Sequence, residues 1–196
     1  HMVGLPDNAV KESELRIETA LKNNNLASPR RKTVINMAPA DIKKEGSAYD
    51  LTIGTGILAA NEIIPAEELE KYVIMGELSL DGTLMPIKGA LPIAIQAKKE
   101  GFKGFLLPKQ NAKEAAIVKG LEVYGIESIL DIVSFFTEEK KPEPEFVDPR
   151  GDFEKDHSAF DIDFKDVQGQ ENIKRAMEIA AAGGHNIILI GPPGAG

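Results

Sequence analysis

A stretch that suits neither helix nor strand divides this chain and so limits how the remainder can fold. Between residues 138 and 160, twelve of the 23 residues are charged, and Pro142, Pro144 and Pro149 interrupt any regular element. This composition predicts a linker. It leaves a front region, residues 3–137, of ordinary domain size, and a tail, residues 161–196, too short to bury a core of its own. We therefore expect one complete domain followed by the beginning of another.

Helical and strand-type patterns alternate irregularly in the front region. Apolar spacing predicts helices over residues 7–23, 51–60, 89–100, 111–119 and 128–136, and β-rich runs predict strands over residues 33–38, 72–80, 83–87, 104–107 and 121–124. Asp7 has the position of a helix N-cap, and Asp81-Gly82 predicts a hairpin turn. This order does not fit a plain doubly wound sheet, so we predict an α+β, or mixed α/β, fold.

Composition excludes several kinds of chemistry. The chain has no cysteine, which rules out disulfides and thiolate sites, and its three histidines, His1, His157 and His185, lack the spacing of metal ligands, so we expect no metal site. The net charge of −8 argues against tight binding of duplex DNA at physiological salt. Because no apolar run could span a membrane and no signal peptide is present, we expect a cytoplasmic location without membrane contact.

The tail ends in a glycine-rich motif. Helical spacing over residues 168–182 is followed by a continuous apolar run at residues 186–190, which predicts a strand, and then by G-P-P-G-A-G at residues 191–196. These six residues match the first six positions of the phosphate-binding loop G-x-x-x-x-G-K-[ST]. A Gly-Pro turn after a strand is the simpler alternative. A dinucleotide fingerprint fits less well because Pro193 occupies the position of its second glycine.

The residues before this loop resemble the ATPase module of magnesium-chelatase-like AAA+ proteins, within which the ComM/YifB-type branch is most similar. The resemblance rests on F-K-D-V-Q-G-Q-E at residues 164–171, K-R-A at 174–176 and A-A-A-G-G-H-N at 180–186. It implies that a Val-x-Gly-Gln segment lies beside the adenine and that the loop contacts phosphates. The implied nucleotide-binding residues are Val167, Gly169, Gln170, Gly191, Pro192, Pro193, Gly194, Ala195 and Gly196.

The same resemblance implies ATP and Mg²⁺ as cofactors of the parent protein, and a homo-oligomeric ring, as in hexameric AAA+ proteins, with DNA bound through the ATPase region. The loop lysine, the magnesium-binding acidic pair, the sensors and the trans-acting arginine of that family all fall beyond Gly196. Phosphoryl transfer depends on such groups. We therefore expect no cofactor and no ATPase activity in these 196 residues alone.

The front region resembles the N-terminal domain of the same family, which is similar to the peptidase domain of Lon proteases. The matching stretches include V-G-L-P-D at residues 3–7, G-S-A-Y-D-L at 46–51, G-E-L at 76–78 and P-I-K-G-A-L-P at 86–92. Lon-type peptidases pair a serine with a lysine, and here Ser47 falls on the serine position while Leu91 occupies that of the lysine. Leucine cannot accept a proton, so we predict a non-proteolytic domain.

Ser47 also has a simpler interpretation as a helix N-cap, because Asp50 follows at capping-box spacing. A vestigial or working peptidase site is the alternative, with the nearby Lys88 as the substitute base. For the parent protein, the resemblance implies ATP-driven remodelling of DNA, such as branch migration during natural transformation. An ATP-dependent serine peptidase and a chelatase-type motor that inserts a metal into a tetrapyrrole remain as alternatives.

Overall fold

The structure is a computed structural model. It describes residues 2–4, 7–26, 33–39, 41–44, 46–138, 141–147 and 164–192. The chain forms two compact units, residues 1–149 and 150–196. Within the described ranges, no helix has both the length and the apolar character needed to cross a bilayer.

The first unit contains seven strands and five α-helices among its described residues. The strands are β1 (Met2–Val3), β2 (Ile35–Asn36), β3 (Tyr72–Ile74), β4 (Glu77–Leu78), β5 (Leu84–Met85), β6 (Gly104–Pro108) and β7 (Glu122–Ile126). The helices are α1 (Asn8–Asn23), α2 (Asp50–Ala60), α3 (Ala90–Lys99), α4 (Lys109–Ala116) and α5 (Ile129–Thr137). Short 3₁₀ turns at Ser47–Tyr49 and Ala66–Lys71 precede α2 and β3. The fold is of the predicted α+β class.

A parallel sheet in the order β3-β6-β7 forms the centre of this unit. Its middle strand, β6, is buried along its whole length, as expected for a parallel strand covered on both faces. Because side chains alternate along a strand, Leu106 faces one hydrophobic core while Phe105 and Leu107 face the other. Two small sheets complete the unit: β1 pairs in parallel with β2, and β4 pairs in antiparallel with β5.

Helices cover both faces of the central sheet. The core on the side of Leu106 draws on α1, α2 and α5, and its fully buried side chains include Ile17, Leu21, Leu51, Leu58 and Ile132. The opposite core is built with small residues from α3 and α4, namely Ala90, Ala94, Ala97, Ala112 and Ala115. These alanines allow both helices to lie close against Phe105 and Leu107. Helices α3 and α4 therefore form one outer layer of the unit.

The predicted strand over residues 72–80 is wrong as a single element. It is split into β3, which joins the central sheet, and β4, which forms the hairpin with β5. The break falls at Gly76, whose N–H donates to the carbonyl oxygen of Ala48 and whose carbonyl accepts from the N–H of Leu51. A side chain at this position would lie 2.8 Å from Leu84, so glycine permits the close approach. The predicted hairpin turn at Asp81-Gly82 is confirmed.

Helix α1 begins as predicted. Asp7 is its N-cap, and the Asp7 carboxylate accepts a hydrogen bond of 2.8 Å from the N–H of Val10. This bond lowers the pKa of Asp7 because it stabilises the charged form. The buried face of α1 carries Val10, Ile17, Ala20 and Leu21, the four residues that define its amphipathic pattern.

A buried polar network joins α1, α2 and β4. The Asp50 side chain is completely buried, and it accepts hydrogen bonds from Arg16 at 2.8 Å (Nε) and 3.1 Å (Nη2), from the Ser13 hydroxyl, and from the N–H of Leu78 at 3.2 Å. The hydrogen bond to Asp50 raises the pKa of Arg16. Four hydrogen-bond donors thus replace the hydration that the Asp50 carboxylate loses on burial. The network fixes the relative positions of α1, α2 and β4.

The first part of the predicted linker lies against the first unit. The Lys141 ammonium lies 3.3 Å from the Glu68 carboxylate and 4.8 Å from the centre of the Phe135 ring, and it is also close to the ring of Tyr72. Further along, the N–H of Glu145 donates to the carbonyl of Val123 in β7 at 2.7 Å. Lys141 and Glu145 therefore attach residues 141–147 to the first unit. Residues 139–140 and 148–160 of the predicted linker lie outside the described residues.

The second unit has one long helix among its described residues. A 3₁₀ turn, Phe164–Asp166, is followed by α6 (Glu171–Gly183), whose end lies within one residue of that of the predicted helix over residues 168–182. The predicted strand at residues 186–190 is wrong, because these residues have no regular structure and Ile188 and Ile190 are 81% and 91% exposed. A strand needs a hydrogen-bonded neighbour. Residues 164–192 contain no strand with which residues 186–190 could pair.

We predict that Arg16→Ala lowers the free energy of unfolding of the first unit by about 3 kcal/mol, because it removes the charged partner of a completely buried carboxylate. Lys109→Ala is the matched control, since its ion pair with Glu127 is exposed on both sides and a surface pair contributes at most about 1 kcal/mol. Urea unfolding of both variants measures the difference. Equal losses in the two variants would contradict a stabilising role for the network.

Candidate functional site

Ser47 is the first residue of the 3₁₀ turn that leads into α2. Its side chain is half-buried, and its hydroxyl donates to the carboxylate of Glu77 in β4. This glutamate was missed by the sequence analysis. Glu77 lies close to Ser47 only because the 3₁₀ turn contacts β4 in the folded chain. The spacing of residues in the sequence does not predict such a tertiary contact.

The prediction that Ser47 caps a helix is wrong. Helix α2 starts at Asp50 with Tyr49 as its N-cap, and no side chain caps either the 3₁₀ turn or the helix. The 3₁₀ turn displaces Ser47 from the first turn of α2, where the carbonyl of Gly76 accepts from the N–H of Leu51 at 2.9 Å. The other half of the predicted capping box, Asp50, bonds to Arg16 instead.

Leu91 and Lys88 lie near the start of α3. Leu91 is the second residue of the helix and its N–H donates to the Glu114 carboxylate at 3.1 Å. Lys88 is exposed and precedes the helix, which begins only at Ala90, after Gly89 in a left-handed conformation with φ of 76°. The described residues contain no hydrogen bond between Ser47 and a lysine amine. The hydroxyl bonds to a carboxylate instead.

This arrangement differs chemically from a serine–lysine dyad. A neutral amine accepts a hydroxyl proton far more readily than a glutamate carboxylate does, because the conjugate acid of the carboxylate has a much lower pKa. The buried Asp50 nearby cannot serve as a second base, since its oxygens already accept from Ser13, Arg16 and the N–H of Leu78. The polar groups around Ser47 connect α1, α2 and β4 to one another.

In the second unit, the residues with an implied role at the adenine form a structured turn before α6. Gly169 and Gln170 both have positive φ angles, 74° and 58°, and Gln170 is the N-cap of α6. The Lys174 ammonium donates to the carbonyl of Val167 at 2.9 Å, which ties the turn to the first turn of the helix. Val167, Gly169 and Gln170 are all exposed.

The implied phosphate loop is only partly described. Gly191 and Pro192 are exposed and lie in a segment without regular structure. Pro193, Gly194, Ala195 and Gly196 lie outside the described residues. The structure therefore brings together Val167, Gly169 and Gln170 at one end of α6. Among the described residues, no group of three or more His, Asp or Glu side chains is arranged to hold a metal ion.

The first unit is an α+β domain consistent with the Lon peptidase fold, and the second contains a helix that leads to a glycine-rich sequence. Comparison with family models specifies the class of protein. The model described as subunit ChlI of Mg-chelatase matches residues 1–111, and the one described as magnesium chelatase, subunit ChlI, matches residues 163–196. The chain belongs to this magnesium-chelatase ChlI family.

Individual relatives match the chain from end to end. It is 42% identical to the uncharacterized protein YifB of Escherichia coli and 39% identical to the competence protein ComM of Haemophilus influenzae, with 100% of the chain covered in both. It spans 37% and 38% of the lengths of those proteins. An archaeal Lon protease of Thermococcus kodakarensis is 30% identical over 89 residues, which is 43% of this chain and 14% of the protease.

We predict that a fluorophosphonate probe leaves Ser47 unlabelled, because a serine without a base is a weak nucleophile and Leu91 offers none. The measurement is mass spectrometry of the probed protein, with Leu91→Lys as the variant that restores a lysine at that position. Labelling of Ser47 in the unmodified protein that disappears in Lys88→Ala would contradict the prediction. It would identify Lys88 as the base.

Proposed function

We propose that this chain is the front part of a ring-forming motor that uses ATP to remodel DNA. The observation that carries the proposal is the similarity to the competence protein ComM along the whole chain, which extends across both units and into the phosphate-loop sequence. The branch of the family that the chain resembles implies branch migration as the activity. A homo-oligomeric ring, such as a hexamer, is the assembly that such motors use.

The second unit supports a nucleotide site at the start of the ATPase module. Bound ATP supplies the phosphoryl group whose hydrolysis drives the motor, with Mg²⁺ neutralising the phosphates. The residues proposed to hold it are Val167, Gly169 and Gln170 beside the adenine and residues 191–196 at the phosphates. The exposed turn at Gly169 suits this role, because a Cβ added there meets no atom within 4 Å and the backbone is open to a ligand.

Two other functions are supported by particular observations. The similarity of part of the chain to Lon proteases favours an ATP-dependent peptidase, and the description of the family favours a motor that inserts magnesium into a tetrapyrrole. The peptidase is disfavoured by Leu91 at the lysine position and by the bond from Ser47 to Glu77. The chelatase is disfavoured by the front domain, which the resemblance places in the ComM/YifB branch.

The experiment that separates the three functions uses the full-length protein. We predict that branched DNA stimulates its ATPase activity several-fold, because a motor hydrolyses ATP faster when its substrate is engaged, whereas unfolded protein and porphyrin with Mg²⁺ leave the rate unchanged. A coupled phosphate-release assay measures all three. Stimulation by unfolded protein alone would identify the peptidase, and stimulation by porphyrin alone the chelatase. Either outcome would refute the DNA motor.

We also propose that the 196-residue chain by itself neither binds nor hydrolyses ATP effectively. Its sequence includes six positions of the loop motif but not the lysine that pairs with the phosphates, and residues 186–190 lack the strand that would position the loop. We predict that calorimetric titration with ATP and Mg²⁺ shows no binding below the millimolar range. Micromolar affinity would contradict this prediction and would mean that these residues assemble a pocket unaided.

A further inference from the structure

The lysines of this acidic chain are concentrated in one segment of the first unit. Residues 88–119 contain seven lysines and only two acidic residues, Glu100 and Glu114, whereas the rest of the chain contains sixteen basic and 29 acidic side chains. The lysines are Lys88, Lys98, Lys99, Lys103, Lys109, Lys113 and Lys119, and all seven are exposed. The overall charge of −8 therefore conceals a local excess of positive charge.

The fold brings the lysines of α3 and α4 into one layer, whereas the Lys103 ammonium lies over the ring of Tyr72, a residue of the opposite core. Helices α3 and α4 pack side by side over the same core with their alanine faces inward, which leaves their lysines on the outer side. The Lys98 ammonium donates to the carbonyl of Lys119, so the end of α3 meets the turn after α4. At the other end, Asn111 of α4 bonds to the backbone N–H and carbonyl of Ile87 at 2.8 and 2.9 Å, beside Lys88. We call this surface the α3–α4 face.

The two acidic residues of the α3–α4 face already have partners. Glu114 accepts from the N–H of Leu91, and Glu100 accepts from the Gln96 amide at 2.7 Å. Two of the lysines are paired with acidic residues from outside the segment, Lys103 with Glu122 and Lys109 with Glu127. Within the part of the chain that the structure describes, Lys88, Lys99 and Lys113 form no ion pair. The α3–α4 face therefore retains a net positive charge after its internal pairs are counted.

We infer that the α3–α4 face binds the phosphate backbone of nucleic acid without reading its sequence. Exposed lysines neutralise phosphates as point charges, and this attraction requires no shape complementarity. Reading of bases commonly uses arginine or stacked aromatic rings, and residues 88–119 contain no arginine, while neither of their phenylalanines is exposed. An acidic protein partner would need an apolar centre to its interface, but the large apolar side chains exposed on these two helices are only Ile95 on α3 and the adjoining Ile117.

The uneven charge also determines where a polyanion can approach. The acidic remainder of the surface repels nucleic acid, so the α3–α4 face is the side on which it is tolerated. About four phosphate contacts would make the affinity fall on the order of 10²-fold between 50 and 200 mM salt. Weak, salt-sensitive binding by one copy is compatible with the expectation, from the net charge of −8, that the chain does not bind duplex DNA tightly at physiological salt. In the proposed ring, several copies would raise the effective affinity without new contacts.

The test is fluorescence anisotropy of a labelled 30-base-pair duplex, a probe of about three helical turns, titrated with the 196-residue chain at 50 mM salt and above. Lys99→Glu combined with Lys113→Glu reverses two charges on the α3–α4 face. Lys11→Glu combined with Lys22→Glu reverses two exposed lysines on α1 and gives the same net charge. We expect at least a tenfold loss of affinity and a salt slope lower by about 2 for the face variant, and less than a threefold loss for the control.

Three results would overturn the inference. The first is an equal loss in both variants, which would show that only net charge matters. The second is the absence of binding by the unmodified chain at 50 mM salt. The third is displacement of the duplex by polyglutamate at the same charge concentration as by unlabelled DNA, which would indicate an acidic protein partner. None of these results depends on ATPase activity, so the inference can fail while the proposed motor function stands, or the reverse.

Discussion

The buried carboxylate of Asp50 is the interaction on which the arrangement of the first unit most depends. Removing a charge from water is costly unless donors replace the lost hydration, and Asp50 obtains its donors from α1, through Ser13 and Arg16, and from the backbone of β4 at Leu78. These donors are available together only when α1, α2 and the hairpin are correctly placed. Apolar packing between α1 and α2 tolerates small shifts, whereas this network does not. It therefore selects one packing among several that would bury similar apolar area.

The same part of the chain holds the residues that resemble a peptidase site. Ser47 bonds to Glu77, the neighbouring Ala48 bonds through its carbonyl to Gly76, and Asp50 bonds to α1. The turn from residue 46 to residue 50 thus connects the hairpin to two helices. In a Ser-Lys peptidase the corresponding serine must keep its hydroxyl available to a base and a substrate. Here the hydroxyl has a structural partner, which explains how a serine can persist at this position without a lysine beside it.

Local pattern predicted most elements of the first unit, because their signals are local. The amphipathic spacing of α1, the Asp7 cap, the Asp81-Gly82 turn and the apolar run of β6 each report on contacts within a few residues. The errors arose where a distant contact decides the structure. Gly76 splits a β-rich run because its backbone bonds to residues 48 and 51. Ser47 does not cap α2 because a 3₁₀ turn precedes that helix, and its hydroxyl bonds to Glu77 instead. Residues 186–190 have the composition of a buried strand, but composition cannot supply the neighbouring strand that the ladder requires.

The net charge of the chain likewise gives an incomplete prediction of what the protein can bind. A net charge is an average over the whole surface, and the average of −8 predicts repulsion of nucleic acid. The alanine faces of α3 and α4 direct their lysines to one side, whereas the acidic residues are spread over the remaining elements. The fold thereby exposes on one side a group of lysines that is already concentrated within residues 88–119. The core requires one face of each of these helices to be apolar. Because Ala94, Ala97, Ala112 and Ala115 are buried on those faces, Lys98, Lys99 and Lys113 lie on the outer side, where a polyanion can contact them.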